Sequence, residues 1–309
     1  PAEFLARLLK VGTDVRLNPQ RQDFNGSVRK KGAQVMAYES IEVKQLTPTL
    51  GAEIGGVDLS KPLSNRQSKE IHDALLDNQV IFFRDQDMTI DQHKDFGRLF
   101  GELHIHPSRK GPEGHPEILP IHADANSKQV AGHRWHSDVS CDPEPPMGSI
   151  LYLNTVPPSG GDTLFASMYA AYDALSDRMK SYLEGLTAVH DGGPNYRRRA
   201  AIEGRDDKRE FPRAEHPVIR THPETGRKGI YVNPVFTVAI RGLPEDEGEA
   251  VLRFLYEHNN RPQFQCRFKW RENSVAFWDN RCVQHIAMWD YFPQVRSGNR
   301  VTVKGDRPY

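Results

Sequence analysis

Trp135-His136-Ser137-Asp138-Val139 carries the sharpest pattern in this 309-residue chain. In extended backbone, residues two apart point the same way, so His136 and Asp138 are expected to converge on one face. A His and a carboxylate side by side can hold one divalent metal ion, and a third ligand must come from elsewhere. His285 is the natural candidate, just after the apolar run Val275-Ala276-Phe277-Trp278 and the turn Asp279-Asn280. The spacing alone is weak evidence, because His122-Ala123-Asp124 repeats it. What differs is the company each pair keeps. A Pro-bounded turn, a strand and Gly160-Gly161-Asp162-Thr163 follow His136, and Arg296 and Arg300 follow His285.

Two His and one carboxylate on one face of an Fe(II) octahedron leave three positions open. A bidentate 2-oxo acid can take two of them and O2 the third. The free carboxylate of 2-oxoglutarate then needs a cation, and Arg serves best because it offers two parallel hydrogen bonds. A Thr hydroxyl can add another. Standing alone, Arg296 and Arg300 would read as a surface basic edge, but here they follow a metal-ligand pattern.

The bulk composition fits an enzyme of this kind. Lys+Arg and Asp+Glu are equal at 41 each, which argues against a dedicated nucleic-acid binder. The 24 Gly and 22 Pro point to a turn-rich, strand-rich fold. Cys141, Cys266 and Cys282 are widely spaced and form no Cys-x-x-Cys pair, so a thiolate zinc site is not expected. They read as reduced thiols in a cytoplasmic protein. No apolar run approaches the length of a membrane span. Pro1–Lys10 lacks signal-peptide architecture. Pro1 is not an ordinary start, so residues upstream are expected.

Residues 1–36 are polar and basic and read as an N-terminal extension, with a single domain over 37–309. Ile41–Leu46 alternates as a half-buried strand does. Ser64 is the expected N-cap of a helix to about Asn78, followed by a buried strand at Val80–Phe83 and a helix over Ile90–Phe100. A strand at Ile150–Leu153, one amphipathic helix over Tyr169–Leu186 and a strand at Gly229–Val232 follow. Residues 192–216 lack periodicity and read as a long loop of the kind that forms lids, with Arg197-Arg198-Arg199 on its face. Pro244 is expected at the first position of a helix to about His258, and the last strands are Val275–Trp278 and Val301–Val303. The fold class expected is mainly β with flanking helices, a sandwich or jelly roll.

Taken in order, Trp135-His136-Ser137-Asp138, Gly160-Gly161-Asp162-Thr163, and Trp278-Asp279-Asn280-Arg281 with His285, Arg296 and Arg300 resemble the taurine dioxygenase family. The resemblance runs from about Ile41 to Pro308, and takes in Gly55-Gly56-Val57-Asp58-Leu59 and Phe100-Gly101-Glu102-Leu103-His104-Ile105-His106-Pro107. It implies a double-stranded β-helix (jelly roll). It implies His136, Asp138 and His285 as Fe(II) ligands, with 2-oxoglutarate and O2 as co-substrates. Thr163 and Arg296 would hold the distal carboxylate of 2-oxoglutarate. Arg300, His106 and the backbone N–H of Val139 would bind a substrate anion, in a pocket walled by Tyr196 and Phe236. Hydroxylation beside a heteroatom would release succinate, CO2 and a cleaved product, a reaction of sulfur metabolism. A homo-oligomer, dimer or tetramer, is expected by the same likeness.

The departures bear on the substrate. Gly132, His133 and Arg134 stand where taurine dioxygenase receives the substrate's amino group, and Arg109 stands where an aromatic residue is expected. A small anion other than taurine is therefore expected: an alkyl or aryl sulfate, another sulfonate, or an aryloxyalkanoate. Readings from other classes are a zinc-dependent hydrolase, which would have no use for Arg296 and Thr163, and a non-catalytic jelly-roll binding module.

Overall fold

The computed structural model describes residues 38–130 and 132–309, so the expected extension over 1–36 lies outside the described residues. Val80–Phe83 (β3) is buried on both faces. A strand with no polar side must lie inside a sheet with a layer packed on each face. Before it come β1 (Glu42–Gln45), β2 (Ala52–Gly55) and helix α1 (Asn65–Asn78). After it come α2 (Ile90–Arg98), β4 (Leu119–Ala123), β5 (Gly148–Thr155), β6 (Thr163–Ser167), α3 (Met168–Asp173), α4 (Asp177–Leu183) and β7 (Thr187–Asp191). The chain continues through α5 (Gly193–Ile202), β8 (Arg213–Pro217), β9 (Ile219–Thr221), β10 (Lys228–Ile230), β11 (Thr237–Ile240) and α6 (Glu245–Asn259). It closes with β12 (Gln265–Phe268), β13 (Ser274–Asp279), β14 (Val283–Ala287) and β15 (Arg296–Val303).

The strands assemble into a seven-stranded sheet, ordered β1-β2-β3-β13-β5-β15-β4, and a three-stranded sheet, β12-β6-β14. The period of two in each central strand divides its side chains between two cores. Val80 and Phe82 of β3, Leu151 and Leu153 of β5, and Ala276 and Trp278 of β13 face the smaller sheet. Their neighbours Ile81, Phe83, Ile150, Tyr152, Val275 and Phe277 pack under α1 and α2. Phe82 stacks on Phe268 of β12 with ring centroids 3.9 Å apart, and meets Phe165 of β6 edge-on at 5.6 Å. Such aromatic pairs contribute about 0.5–1.5 kcal/mol beyond their buried area. Two facing sheets joined by crossing connections, with helices outside, make the expected double-stranded β-helix. A third core packs α3, α4 and α6 against β7 and β10.

Local chemistry explains the boundaries. Ser64 and Gln67 cap α1 reciprocally, the Gln67 N–H donating to Ser64 Oγ at 3.2 Å and the Ser64 N–H to Gln67 Oε1 at 3.1 Å. Thr89 and Gln92 do the same for α2, which ends at Arg98 rather than Phe100. Tyr169–Leu186 is not one helix. It breaks after Asp173, because Ser176 caps a fresh start by accepting from the Met179 N–H. Residues 192–216 are not a loop throughout: Asp191 Oδ1 accepts the Gly193 N–H at 2.7 Å, Pro194 fits the first turn, and α5 follows before β8. Pro244 is the N-cap of α6 rather than its first residue. The first strand is largely exposed rather than half-buried, since it lies at the sheet edge. Cys141, Cys266 and Cys282 are buried and unpaired. No helix among the described residues is long and apolar enough to cross a membrane.

A buried histidine sets one acid limit. His93 of α2 has Nε2 3.1 Å from the Ile150 carbonyl oxygen, and its Nδ1 has no partner. Burial pulls its pKa from 6.5 down to about 4. Between those values the unfolded chain takes a proton that the folded one does not. Stability therefore falls as pH drops through this window, by up to about 1.4 kcal/mol per pH unit. His93→Gln keeps a donor near Ile150 and is expected to flatten this acid limb in thermal melts. An unchanged difference in melting temperature across the window would contradict the assignment.

Candidate metal centre and cosubstrate pocket

Two backbone hydrogen bonds set the site. The His136 N–H donates to the His285 carbonyl at 3.1 Å, and the His285 N–H donates back at 2.9 Å. This is a single antiparallel bridge and not the strand expected around His136. It sets the two imidazoles side by side, with ring centroids 4.2 Å apart. Asp138 reaches them through a turn. Val139 adopts φ 47°, a left-handed conformation that costs a β-branched residue about 1–3 kcal/mol. The convergence of His136 and Asp138 thus comes from a bridge and a turn, not from strand alternation.

The surroundings hold that turn in place. The Asp138 N–H donates to Asn280 Oδ1 at 3.2 Å, which also accepts from Trp278 Nε1 at 2.9 Å. Asn280 Nδ2 donates to Ser149 Oγ at 3.0 Å, and Ser149 Oγ donates to Asp138 Oδ2 at 2.7 Å. These bonds close a ring that fixes both the backbone and the carboxylate of Asp138. On the other side, Ser140 Oγ lies 3.0 Å from His190 Nδ1 and accepts from Asn233 Nδ2 at 2.9 Å.

The donor atoms of His136, Asp138 and His285 all lie within 4.8 Å of one another, and all three residues are buried. His136 Nδ1 is 2.7 Å from the Arg134 carbonyl, which leaves Nε2 toward Asp138 Oδ1 at 3.6 Å. His285 Nδ1 is buried without a hydrogen-bond partner. A buried orphan of this kind, in a set of two imidazoles and one carboxylate, fits a divalent ion such as Fe(II). Burial opposes the charge on Asp138, but Arg300 and His285 overcome it and hold the carboxyl well below the usual range. Arg300 Nη1 donates directly to Asp138 Oδ1.

Arg296 and Thr163 meet in the same cavity. Arg296 is 4% exposed, its Nε donates to the Gly161 carbonyl at 3.0 Å, and its Nη2 lies 3.4 Å from Thr163 Oγ1. Gly161 permits this approach: at φ +70° a side chain would be strained, and a Cβ there would sit 3.2 Å from Arg296 Cδ. Burial draws the Arg296 guanidinium down to about 10, and among the described residues no carboxylate pairs with it. An oxygen-rich anion would complete it.

His106 Nδ1 accepts the Ser108 N–H at 3.1 Å, so its proton sits on Nε2 as a donor. Burial, with Arg300 nearby, keeps the ring neutral by holding its pKa well below 6.5. Tyr196 and Phe236 pack edge to face at 5.9 Å and cluster with Val139 and Cys141. All ten expected site residues line one cavity that is open toward solvent.

Two other clusters are ordinary. His122 and Asp124 are 3.7 Å apart with His122 half exposed, and no third ligand joins them among the described residues. His222, Asp279 and Cys282 lie close together, but their bonds are already made. His222 Nδ1 accepts two backbone N–H groups at 3.2 Å, so Nε2 donates to Asp279, which Arg281 also grips with two bonds. Sequence reasoning missed Ser149 and Trp270, which donates to Thr163 Oγ1 at 3.0 Å. A serine or tryptophan in a buried segment gives no outward signal. Asn280 stood inside a quoted motif without a role.

The profile of the family described as taurine catabolism dioxygenase TauD, TfdA matches residues 42–302. An alkylsulfatase of Acinetobacter baylyi is 34% identical over 277 residues, covering 87% of this chain and 86% of the relative. An alpha-ketoglutarate-dependent sulfonate dioxygenase of Saccharomyces cerevisiae is 34% identical over 285 residues, covering 87% and 68%. The solved structure of a taurine dioxygenase from Burkholderia xenovorans aligns with a TM-score of 0.76 at 39% identity, covering 87% of this chain and 93% of that one.

The ring around Asp138 has a measurable consequence. Ser149→Ala removes the donor to Oδ2 and is expected to weaken Mn(II) or anaerobic Fe(II) binding by about 10- to 100-fold, with little change in the melting temperature of the metal-free protein. Unchanged metal affinity would show that the ring does not orient the carboxylate.

Proposed function

The chain belongs to the taurine catabolism dioxygenase TauD, TfdA family, and we propose that it oxidises a small organic sulfate or sulfonate at the carbon beside the heteroatom. It is a 2-oxoglutarate-dependent dioxygenase that requires Fe(II) and O2. Residues 37–309 form the catalytic domain on this reading. His136, Asp138 and His285 would hold the iron, and the bound iron would activate O2 against 2-oxoglutarate, giving succinate and CO2. Thr163 and Arg296 would clamp the distal carboxylate of 2-oxoglutarate. That clamp fixes which way the co-substrate enters.

The observation that carries the reading is the pair of buried arginines on β15. Arg296 and Arg300 are 4% and 7% exposed and line the same cavity as the three candidate ligands. One cation suffices for 2-oxoglutarate, and Arg300, whose Nη1 already holds Asp138, has a further nitrogen donor for a second anion. Arg300 Nε is buried without a partner and is free to donate to it. His106 Nε2–H supplies another donor, and the backbone N–H of Val139 a third. Tyr196 and Phe236 exclude water and limit the width of the organic group. A C–H held beside the iron in this way becomes hydroxyl, and the hydroxylated carbon sheds sulfate or sulfite to leave a carbonyl. The names of the A. baylyi and S. cerevisiae relatives favour a sulfur oxyanion over an aryloxyalkanoate. The same reading has the enzyme working in the cytoplasm as a dimer or tetramer.

The test is O2 uptake and succinate formation by the Fe(II)-loaded protein with a panel of alkyl sulfates, sulfonates and aryloxyalkanoates. Uptake that needs both Fe(II) and 2-oxoglutarate, with one sulfur compound stimulating it, is the expected result. Stimulation by aryloxyalkanoates alone would move the substrate class. Metal-dependent ester hydrolysis without O2 uptake would return the zinc hydrolase, and no turnover of any kind the binding module. Arg296→Leu should raise the KM for 2-oxoglutarate by about ten- to a hundredfold, the worth of hydrogen bonds to a charged group. An unchanged KM would remove Arg296 from the co-substrate site.

A further inference from the structure

The charge of the cavity does not balance. Among the described residues its lining holds six arginines, Arg109, Arg134, Arg198, Arg199, Arg296 and Arg300, against the single carboxylate Asp138. A bound divalent ion and 2-oxoglutarate add charges that cancel, so the excess persists in the loaded protein. Arg296 and Arg300 have roles in the proposed site. Arg134 and Arg198 are exposed and solvated. Arg109 and Arg199 remain.

These two sit together on the wall shared with an adjoining smaller pocket, which they line with Ile121, Val130, Ala287 and the co-substrate residue Arg296. Both are partly buried. Arg199 has one acid, Glu203, at 3.4 Å, and Glu203 is already bound by Arg205 at 2.5 Å. Arg109 makes no hydrogen bond or ion pair among the described residues. The charges that reach it are Arg199, Glu203, Arg300 and Arg205, and burial followed by Arg199 draws its pKa down to about 10. Two cations facing one partly desolvated space repel each other until an anion lies between them. A pair of guanidinium groups suits the oxygens of a carboxylate or sulfonate.

Resting on the sulfate or sulfonate reading above, we propose that Arg109 and Arg199 form a second anion subsite, and that the preferred substrates are dianions. One end, the sulfur oxyanion, is held by Arg300 and His106. The other end carries a second anionic group, such as a carboxylate, held by Arg109 and Arg199. Leu119, Ile121, Val130 and Leu151 line the cavity and give an aliphatic spacer an apolar path. The chemical class is thus an ω-carboxyalkyl sulfonate or sulfate ester rather than a simple alkyl one.

Calorimetric titration of the full chain, loaded with Mn(II) and saturated with 2-oxoglutarate, tests this without turnover. The probes are linear alkanesulfonates and ω-carboxyalkanesulfonates of matched chain length. At the best length the added carboxylate is expected to tighten binding by about tenfold. Arg109→Gln and Arg199→Gln should each collapse that preference while 2-oxoglutarate still binds. A carboxylate that adds nothing at any length, or a preference that survives both substitutions, overturns the second subsite and leaves the sulfonate reading intact. If neither series binds while 2-oxoglutarate does, the sulfonate reading fails and the subsite falls with it.

Discussion

The site depends on the backbone pairing of His136 with His285. Two reciprocal backbone hydrogen bonds tie His136 to His285 of β14, flanked by bonds from Ala287 N–H to the Gly132 carbonyl and from Ser137 Oγ to the Val283 carbonyl, and without them the two imidazoles would belong to separate parts of the sandwich. A single bridge would be a weak hinge if it stood alone. It does not, because β14 is itself paired along its length with β6, from Val283–Ser167 to Ala287–Thr163. That register brings His285 beside Phe165 and sets Thr163 one end further along. His136, His285 and Thr163 are therefore positioned by one ladder.

The larger sheet does the complementary work. β13 and β15 flank β5 on either side, so Asn280, just past the end of β13, lies near Ser149 of β5, while Arg300 stands on β15 opposite Leu151. Asp138 then receives contacts from three elements that are remote in sequence: the turn after β13, the start of β5 and the middle of β15. This is why a carboxylate 3% exposed keeps its charge. Removing water strengthens every one of these contacts and raises the cost of leaving any of them unmade. The strain at Val139 is carried by the same framework, with Ser140 tied to His190 and Asn233 beyond it.

Much of this was legible in the residues. The chemistry of a metal restricts ligand types sharply, so His136, Asp138 and His285 stand out by kind and order, while Thr163 and Arg296 were singled out through the family resemblance. The Ser64 cap is local, and its helix could be read from it, whereas the matching cap at Thr89 was seen only in the structure. What was not legible is tertiary. Nothing in Ser149 distinguishes it from any serine in a buried strand, since its role exists only once Asn280 and Asp138 surround it. The break between α3 and α4 turned on one Ser176 cap inside an otherwise continuous apolar pattern. Helix α5 escaped because its arginines give no periodicity, and its placement against the cavity, with Tyr196 inside and Arg199 at the wall, is set by packing. The extended reading of His136 to Asp138 reached the right neighbours for the wrong local reason.

The most direct test of the account is the anaerobic visible spectrum of the Fe(II)-loaded protein as 2-oxoglutarate is added. Chelation of iron held by His136, Asp138 and His285 predicts a weak metal-to-ligand charge-transfer band that saturates with 2-oxoglutarate and is lost in His285→Ala. Iron that binds without producing the band, or a band that persists in His285→Ala, would contradict the assignment of these three side chains as the metal centre.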